Sequence, residues 1–176
     1  MNFDPITRLY NVVKKQPNHI SIVEYDKEIT YKMFFILSYS ISQLINHKTN
    51  QTTPRVLIYL SKCIEAYATM FGTLMSGGFY SPLNVSASSN TKNHIIKLFT
   101  PHIIITSSSL SKEINGFIEK FNLSCEIIIV EKISEQVANG DIVLNEQEID
   151  FDLNSPDKVI HYKKLAYVIF TSGSTG

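Results

Sequence analysis

Between residues 55 and 130, short apolar runs rich in β-branched residues alternate with stretches of helical periodicity, and few folds accommodate that rhythm. Residues 55–60 contain VLIYL, residues 102–106 contain Ile103, Ile104 and Ile105, and residues 125–130 contain EIIIV. A fourth run, residues 79–83, is short and interrupted by Pro82. Continuous apolar runs of this length read as strands buried on both faces. Between them, Ile64, Tyr67, Ala68, Phe71, Leu74 and Met75 recur at helical spacing over residues 62–76, with Ser61 placed to cap the helix and Gly77 and Gly78 to stop it. The same spacing predicts helices over residues 94–99 and 110–121, the second carrying Ile114, Phe117, Ile118 and Phe121. Strands joined by amphipathic helices predict an α/β fold with a mostly parallel sheet flanked by helices.

The chain before residue 55 reads differently. Ile6, Leu9, Tyr10 and Val13 mark a helix over residues 6–15, ended by Pro17. Residues 20–25 alternate, Asp26 and Lys27 make a turn, and residues 28–30 return, which predicts a small amino-terminal β-hairpin. Thr30 is placed to cap a helix over residues 31–45, with Phe34, Leu37, Ile41, Leu44 and Ile45 on one face.

Charge excludes some partners. Sixteen basic residues offset sixteen acidic ones, so the chain lacks the net basic footprint of a nucleic-acid binder. No run approaches the ~18 consecutive apolar residues of a membrane-spanning helix. No secretory pattern opens the chain, and Cys63 and Cys125 stand far apart without a CxxC spacing. A cytoplasmic protein with buried free thiols, without nucleic-acid or membrane partners, is expected. His19, His47, His94, His102 and His161 form no metal-binding spacing, and there is no GxSxG elbow. Residues 131–164, with Glu146, Glu148, Asp150, Asp152 and Asp157, read as a solvated acidic loop.

The most informative stretch is the last. LAYVIFTSGSTG pairs an apolar run, residues 165–170, with six small residues, Thr171, Ser172, Gly173, Ser174, Thr175 and Gly176, four of which carry hydroxyls. An interior strand is expected to empty into a loop whose backbone N–H groups and hydroxyls form a nest for phosphate oxygens, with glycine allowing close approach. A GxxxxGK[ST] P-loop is not matched, because only two residues separate Gly173 from Gly176, and GxGxxG is not matched either. On composition alone, a flexible Ser/Gly tail fits equally well.

LAYVIFTSGSTG resembles the phosphate-binding signature of adenylate-forming (AMP-binding) enzymes, in particular the amino-acid adenylation domains of nonribosomal peptide synthetases. That pattern runs roughly LAYxxYTSGSTGxPKG, and Phe170 stands where tyrosine is usual. Two further blocks resemble the same family in order: ITYKMFFILSYSISQLI, similar to LTYxEL followed by an amphipathic helix, and TLMSGGFYSPLN, similar to LKAGxAYLPLD, with Met75, Ser76 and Asn84 replacing lysine, alanine and aspartate.

The resemblance implies an enzyme that activates an amino acid or other carboxylic acid with ATP and Mg²⁺, then transfers the acyl group to a phosphopantetheine thiol on a carrier domain. It implies that Thr171, Ser172, Gly173, Ser174, Thr175 and Gly176 hold the ATP phosphates. It implies, too, that residues 1–176 correspond to the amino-terminal part of an adenylation domain, cut within the phosphate-binding motif. The catalytic lysine, the ribose-binding aspartate and the acid pocket of such enzymes lie further on, so this stretch supplies no catalytic residue or metal ligand. An inactive fragment that needs the carboxyl-terminal remainder is expected. The alternatives are a natural half-protein acting as a docking module and, within the family, an acyl- or aryl-coenzyme A ligase.

Overall fold

A computed structural model of the chain describes residues 5–142 and 165–170. The elements are α1 (Pro5–Lys15), β1 (Ile20–Glu24), β2 (Lys27–Thr30), α2 (Tyr31–Lys48), β3 (Arg55–Tyr59), α3 (Ile64–Met75), β4 (Phe79–Pro82), α4 (Ser89–Phe99), β5 (Ile103–Thr106), α5 (Ser111–Phe121), β6 (Glu126–Ile129) and α6 (Val130–Ala138). Strands β4-β3-β5-β6 pair in that order, all parallel, and β1 and β2 form a separate antiparallel hairpin. The fold is the α/β architecture expected, a parallel sheet flanked by helices with a small amino-terminal hairpin.

Period-two alternation sends each strand's side chains to two cores. Val56, Ile58, Ile103, Ile105 and Ile128 pack with helices α2, α3 and α6 on one face. Leu57, Tyr59 and Ile104 pack with Ile95, Ile96 and Phe99 of α4 and Ile114 and Phe117 of α5 on the other. The central strands β3 and β5 are covered on both sides, and this is why their sequences are apolar without interruption.

The helix-to-strand turn after α3 requires its two glycines. Gly77 sits at φ 78°, and a Cβ on Gly78 would lie 2.5 Å from the Pro54 carbonyl oxygen. Thr30 caps α2 as expected, accepting a hydrogen bond from the Met33 N–H at 3.2 Å.

Elsewhere the structure corrects the expectation. Ser61 does not cap α3. The N-cap position is Cys63, whose side chain makes no capping bond, and the Ile64 N–H instead donates to the Glu24 carboxylate at 2.7 Å. The cap therefore arrives from β1, forty residues earlier in the chain. In the hairpin, Tyr25 takes the left-handed conformation at φ 53° and Lys27 already belongs to β2, so the turn is Tyr25–Asp26 rather than Asp26–Lys27. Helix α4 starts at Ser89, not near residue 94, because the Ser88 hydroxyl accepts from the Thr91 N–H. Residues 130–138, expected as strand end and loop, form α6, which buries Val130, Ile133 and Val137. Cys63 and Cys125 are free and half-buried rather than fully buried. Among the described residues, no helix is long and apolar enough to cross a membrane.

Candidate functional site

Residues 165–170 lie along the outer side of β4. The Tyr80 N–H donates to the Ala166 carbonyl at 3.2 Å, and the Val168 N–H donates to the Tyr80 carbonyl at 2.9 Å, forming a parallel bridge between Tyr80 and Tyr167. Their rings stack at 5.9 Å. Val168 and Phe170 turn inward onto the core under α4, Phe170 meeting Phe99 edge-on at 6.5 Å.

This placement corrects one expectation. Among the described residues the run pairs only with β4, at an edge rather than inside the sheet, and Leu165, Tyr167 and Ile169 are 55%, 51% and 62% exposed. A parallel bridge that uses the Ala166 carbonyl and the Val168 N–H turns the Tyr167 N–H and C=O to the open side. An apolar edge with free backbone groups is a template for pairing. The chain is therefore expected to associate with rising concentration in sedimentation velocity, and Ile169→Lys to weaken that association. A monodisperse monomer with a high, cooperative melting transition would contradict it.

Because the segment runs parallel to β3 and β4, its Phe170 end lies at the carboxyl ends of the sheet strands. There a cavity of about 540 Å³ opens, and Ile169 and Phe170 contribute to its wall. Leu60, Pro82 and Leu83 supply apolar surface, while Ser61, Lys62, Asn84 and Thr91 supply polar groups. Ligands of open α/β sheets bind outside the carboxyl ends of the strands. The predicted phosphate-binding residues, Thr171, Ser172, Gly173, Ser174, Thr175 and Gly176, lie outside the described residues. The structure brings the chain to the cavity one residue before them.

Nothing else among the described residues competes as a reactive centre. Burial pushes the Cys63 and Cys125 thiols up to about 11, so neither is an activated nucleophile. The His102 imidazole accepts the Arg55 N–H at 3.1 Å through Nδ1, and burial together with the Arg55 charge lowers its pKa, leaving it neutral. Sequence reading missed one buried polar group. Lys92 is only 6% exposed, and its Nζ meets the Tyr59 hydroxyl at 2.8 Å and Glu113 at 2.9 Å. The Tyr59 hydroxyl donates to the other Glu113 oxygen at 2.6 Å. This triad pins α4 and α5 to the end of β3. Lys92 stands in a polar Ser/Asn/Thr stretch that reads as a loop, so no pattern in the sequence pointed to it.

The family model of the AMP-binding enzymes matches residues 9–176. The chain belongs to the AMP-binding enzyme family. Gramicidin S synthase 2 of Brevibacillus brevis is 20% identical to this AMP-binding chain over 167 residues, 93% of the chain and 3% of that protein. The D-alanine–D-alanyl carrier protein ligase of Lactococcus lactis subsp. lactis (strain IL1403) is 23% identical over 171 residues, 97% of the chain and 31% of that ligase. The chain thus spans less than a third of either relative. Among solved structures, the nonribosomal peptide synthetase FmoA3 (S1046A) shares the fold with a TM-score of 0.68 at 19% identity, covering 96% of this chain and 16% of that one. Its AMPPNP-bound form aligns over 74% of this chain and 14% of that one, with a TM-score of 0.62 at 19% identity.

Proposed function

We propose that residues 1–176 are the amino-terminal part of an adenylation domain, and that the complete protein activates an amino acid or other carboxylic acid with ATP for loading onto a carrier-protein phosphopantetheine thiol. The observation that carries this reading is the Tyr80–Tyr167 bridge, which delivers the chain to the carboxyl end of a parallel sheet immediately before TSGSTG. The AMPPNP-bound relative and the carrier-protein ligase support the choice of ATP and of a carrier.

In the proposed reaction a substrate carboxylate oxygen attacks the α-phosphorus of ATP. The bond to the β-phosphate oxygen breaks, pyrophosphate leaves with its electron pair, and an acyl-adenylate forms. A carrier thiol then displaces AMP from the acyl carbon. The part of Thr171, Ser172, Gly173, Ser174, Thr175 and Gly176 is positional: backbone N–H groups and four hydroxyls hold the β- and γ-phosphates while charge moves onto the departing pyrophosphate. Preorganised donors aimed at developing charge are the main lever in such displacements. Among the described residues no three His, Cys, Asp or Glu side chains converge to hold a metal. Mg²⁺ would enter with ATP and would supply charge neutralisation on the phosphates.

The chain alone is proposed to be inactive, because the family resemblance puts the catalytic lysine, the ribose-binding aspartate and the acid pocket outside residues 1–176. The test is ATP–pyrophosphate exchange with a panel of amino acids. No exchange by the 176-residue chain is expected. Substrate-dependent turnover by the chain alone would overturn the assignment of these residues as a partial domain.

A further inference from the structure

A second groove, on the α2–α3–α6 side of the sheet, has a composition that the proposed chemistry does not use. It opens between β2, α2, the first turn of α3 and α6, with a volume of about 410 Å³. Ile29, Leu37, Ile64 and Val137 form its apolar floor. Glu28, Glu65, Glu131 and Glu135 stand on its walls, with Lys27 the one basic side chain among the described residues that line it. The chain as a whole balances sixteen acidic against sixteen basic residues, so this excess of negative charge is local.

The four carboxylates are not neutralised from within. Glu65 accepts the Ser134 hydroxyl at 2.9 Å, and Glu131 accepts the Ser108 N–H at 2.9 and 3.1 Å. Both partners are uncharged, so neither bond brings a counter-charge to the groove. Glu28 and Glu135 have no partner among the described residues. The acids also come from three separate elements, Glu28 from β2, Glu65 from α3, and Glu131 and Glu135 one helical turn apart on α6. A single small cation could meet only some of them. A polypeptide carrying several cations along its length can meet them together.

We propose that this groove docks a basic amphipathic segment of a protein partner. Its aliphatic side chains and the methylene stems of its arginine or lysine residues lie on the Ile29–Val137 floor, and its cationic heads reach the glutamates on the walls. Long basic side chains suit such a site because an apolar stem and a charged tip are one group. Complementary charge around an apolar centre fixes register and speeds encounter.

The experiment is a fluorescence-anisotropy titration of the full 176-residue chain against a labelled synthetic peptide of alternating leucine and arginine. Saturable binding that weakens as salt is raised is expected. The Glu28→Gln/Glu135→Gln double variant, altered only at exposed positions, should weaken binding roughly fivefold. Ala138→Arg, which sets a competing cation on the groove edge, should weaken it at least as much. Melting curves matching the parent verify that both variants fold. Equal binding of a peptide with glutamine in place of arginine, or an unchanged affinity of the double variant, overturns the proposal. Displacement of the peptide by hexylammonium at equal affinity also overturns it, reassigning the groove to a small organic cation.

Discussion

Replacing Gly72 with alanine is expected to destabilise the chain by about 1–3 kcal/mol in urea unfolding. Gly72 lies in α3 where that helix crosses α2. A Cβ built there would sit 2.6 Å from the Ser38 carbonyl oxygen and 2.9 Å from Ile41 Cβ. The first contact is with backbone, so relief requires the two helices to move apart. Their approach is close because small residues meet at the crossing. Ser38 satisfies its buried hydroxyl on the Phe34 carbonyl of its own helix, and Thr69 does the same on Glu65. Gly116→Ala is the control. Gly116 is exposed in the middle of α5, and an added Cβ meets nothing within 4 Å. There alanine should stabilise by about 0.5–1 kcal/mol through helix propensity. If Gly72→Ala stabilised to the same extent, the α2–α3 crossing described here would be wrong.

Lys92→Met is expected to cost about 1–2 kcal/mol, near the lower range for hydrogen bonds to charged groups. The methionine keeps most of the stem but removes the ammonium that bonds Tyr59 and Glu113. The figure stays modest because the Glu113 side chain is 41% exposed, so water shares in solvating the carboxylate that remains. The pH dependence is a sharper readout. Hydrogen bonds from Tyr59 and then from Lys92 lower the Glu113 pKa below its ordinary value of 4.5. A carboxylate with a depressed folded pKa contributes stability that is complete above its unfolded value and lost as pH falls through the folded one. The parent chain should therefore lose stability on acidification below about 4.5, and Lys92→Met should show a shallower loss over the same window. At the alkaline end, burial opposes the Lys92 charge, yet its bonds to Tyr59 and Glu113 raise its pKa above 10.5 overall. That contribution is complete below the ordinary lysine value and disappears only as pH rises through the elevated one. Superimposable acid limbs for parent and variant would contradict the assignment.

The layered fold was legible because its signals are local and redundant. Runs such as IIIT in β5 are apolar on both faces, which only a doubly covered strand requires. The paired glycines after α3 and the Thr30 cap declare themselves within a few residues. What escaped sequence reading depends on contacts between distant elements. The cap of α3 comes from Glu24 in β1, and no window around Ser61 contains it. Helix α6 begins at Val130, the residue that also closes EIIIV, so the apolar run conceals where strand becomes helix. Its pattern Val130, Ile133, Val137 was present, but the acidic residues that follow in the chain favoured a loop reading. Residues 165–170 are apolar at every position, which suggests a strand covered on both sides. Only the pairing pattern reveals that β4 is its one neighbour among the described residues and that alternate side chains face outward. Of the candidate site, the sequence motif names the residues proposed to bind phosphate, and the strand direction and adjoining cavity come from the fold.

The central claim is that the TSGSTG stretch, which follows Phe170 in the chain, holds nucleotide phosphates. The direct measurement is a titration of isotopically labelled chain with Mg²⁺–ATP, followed by amide resonances. Saturable shifts concentrated at Thr171, Ser172, Gly173, Ser174, Thr175 and Gly176, extending to Ile169 and Phe170, are predicted. Shifts that bypass these residues, or no saturable response at any of them, would contradict it.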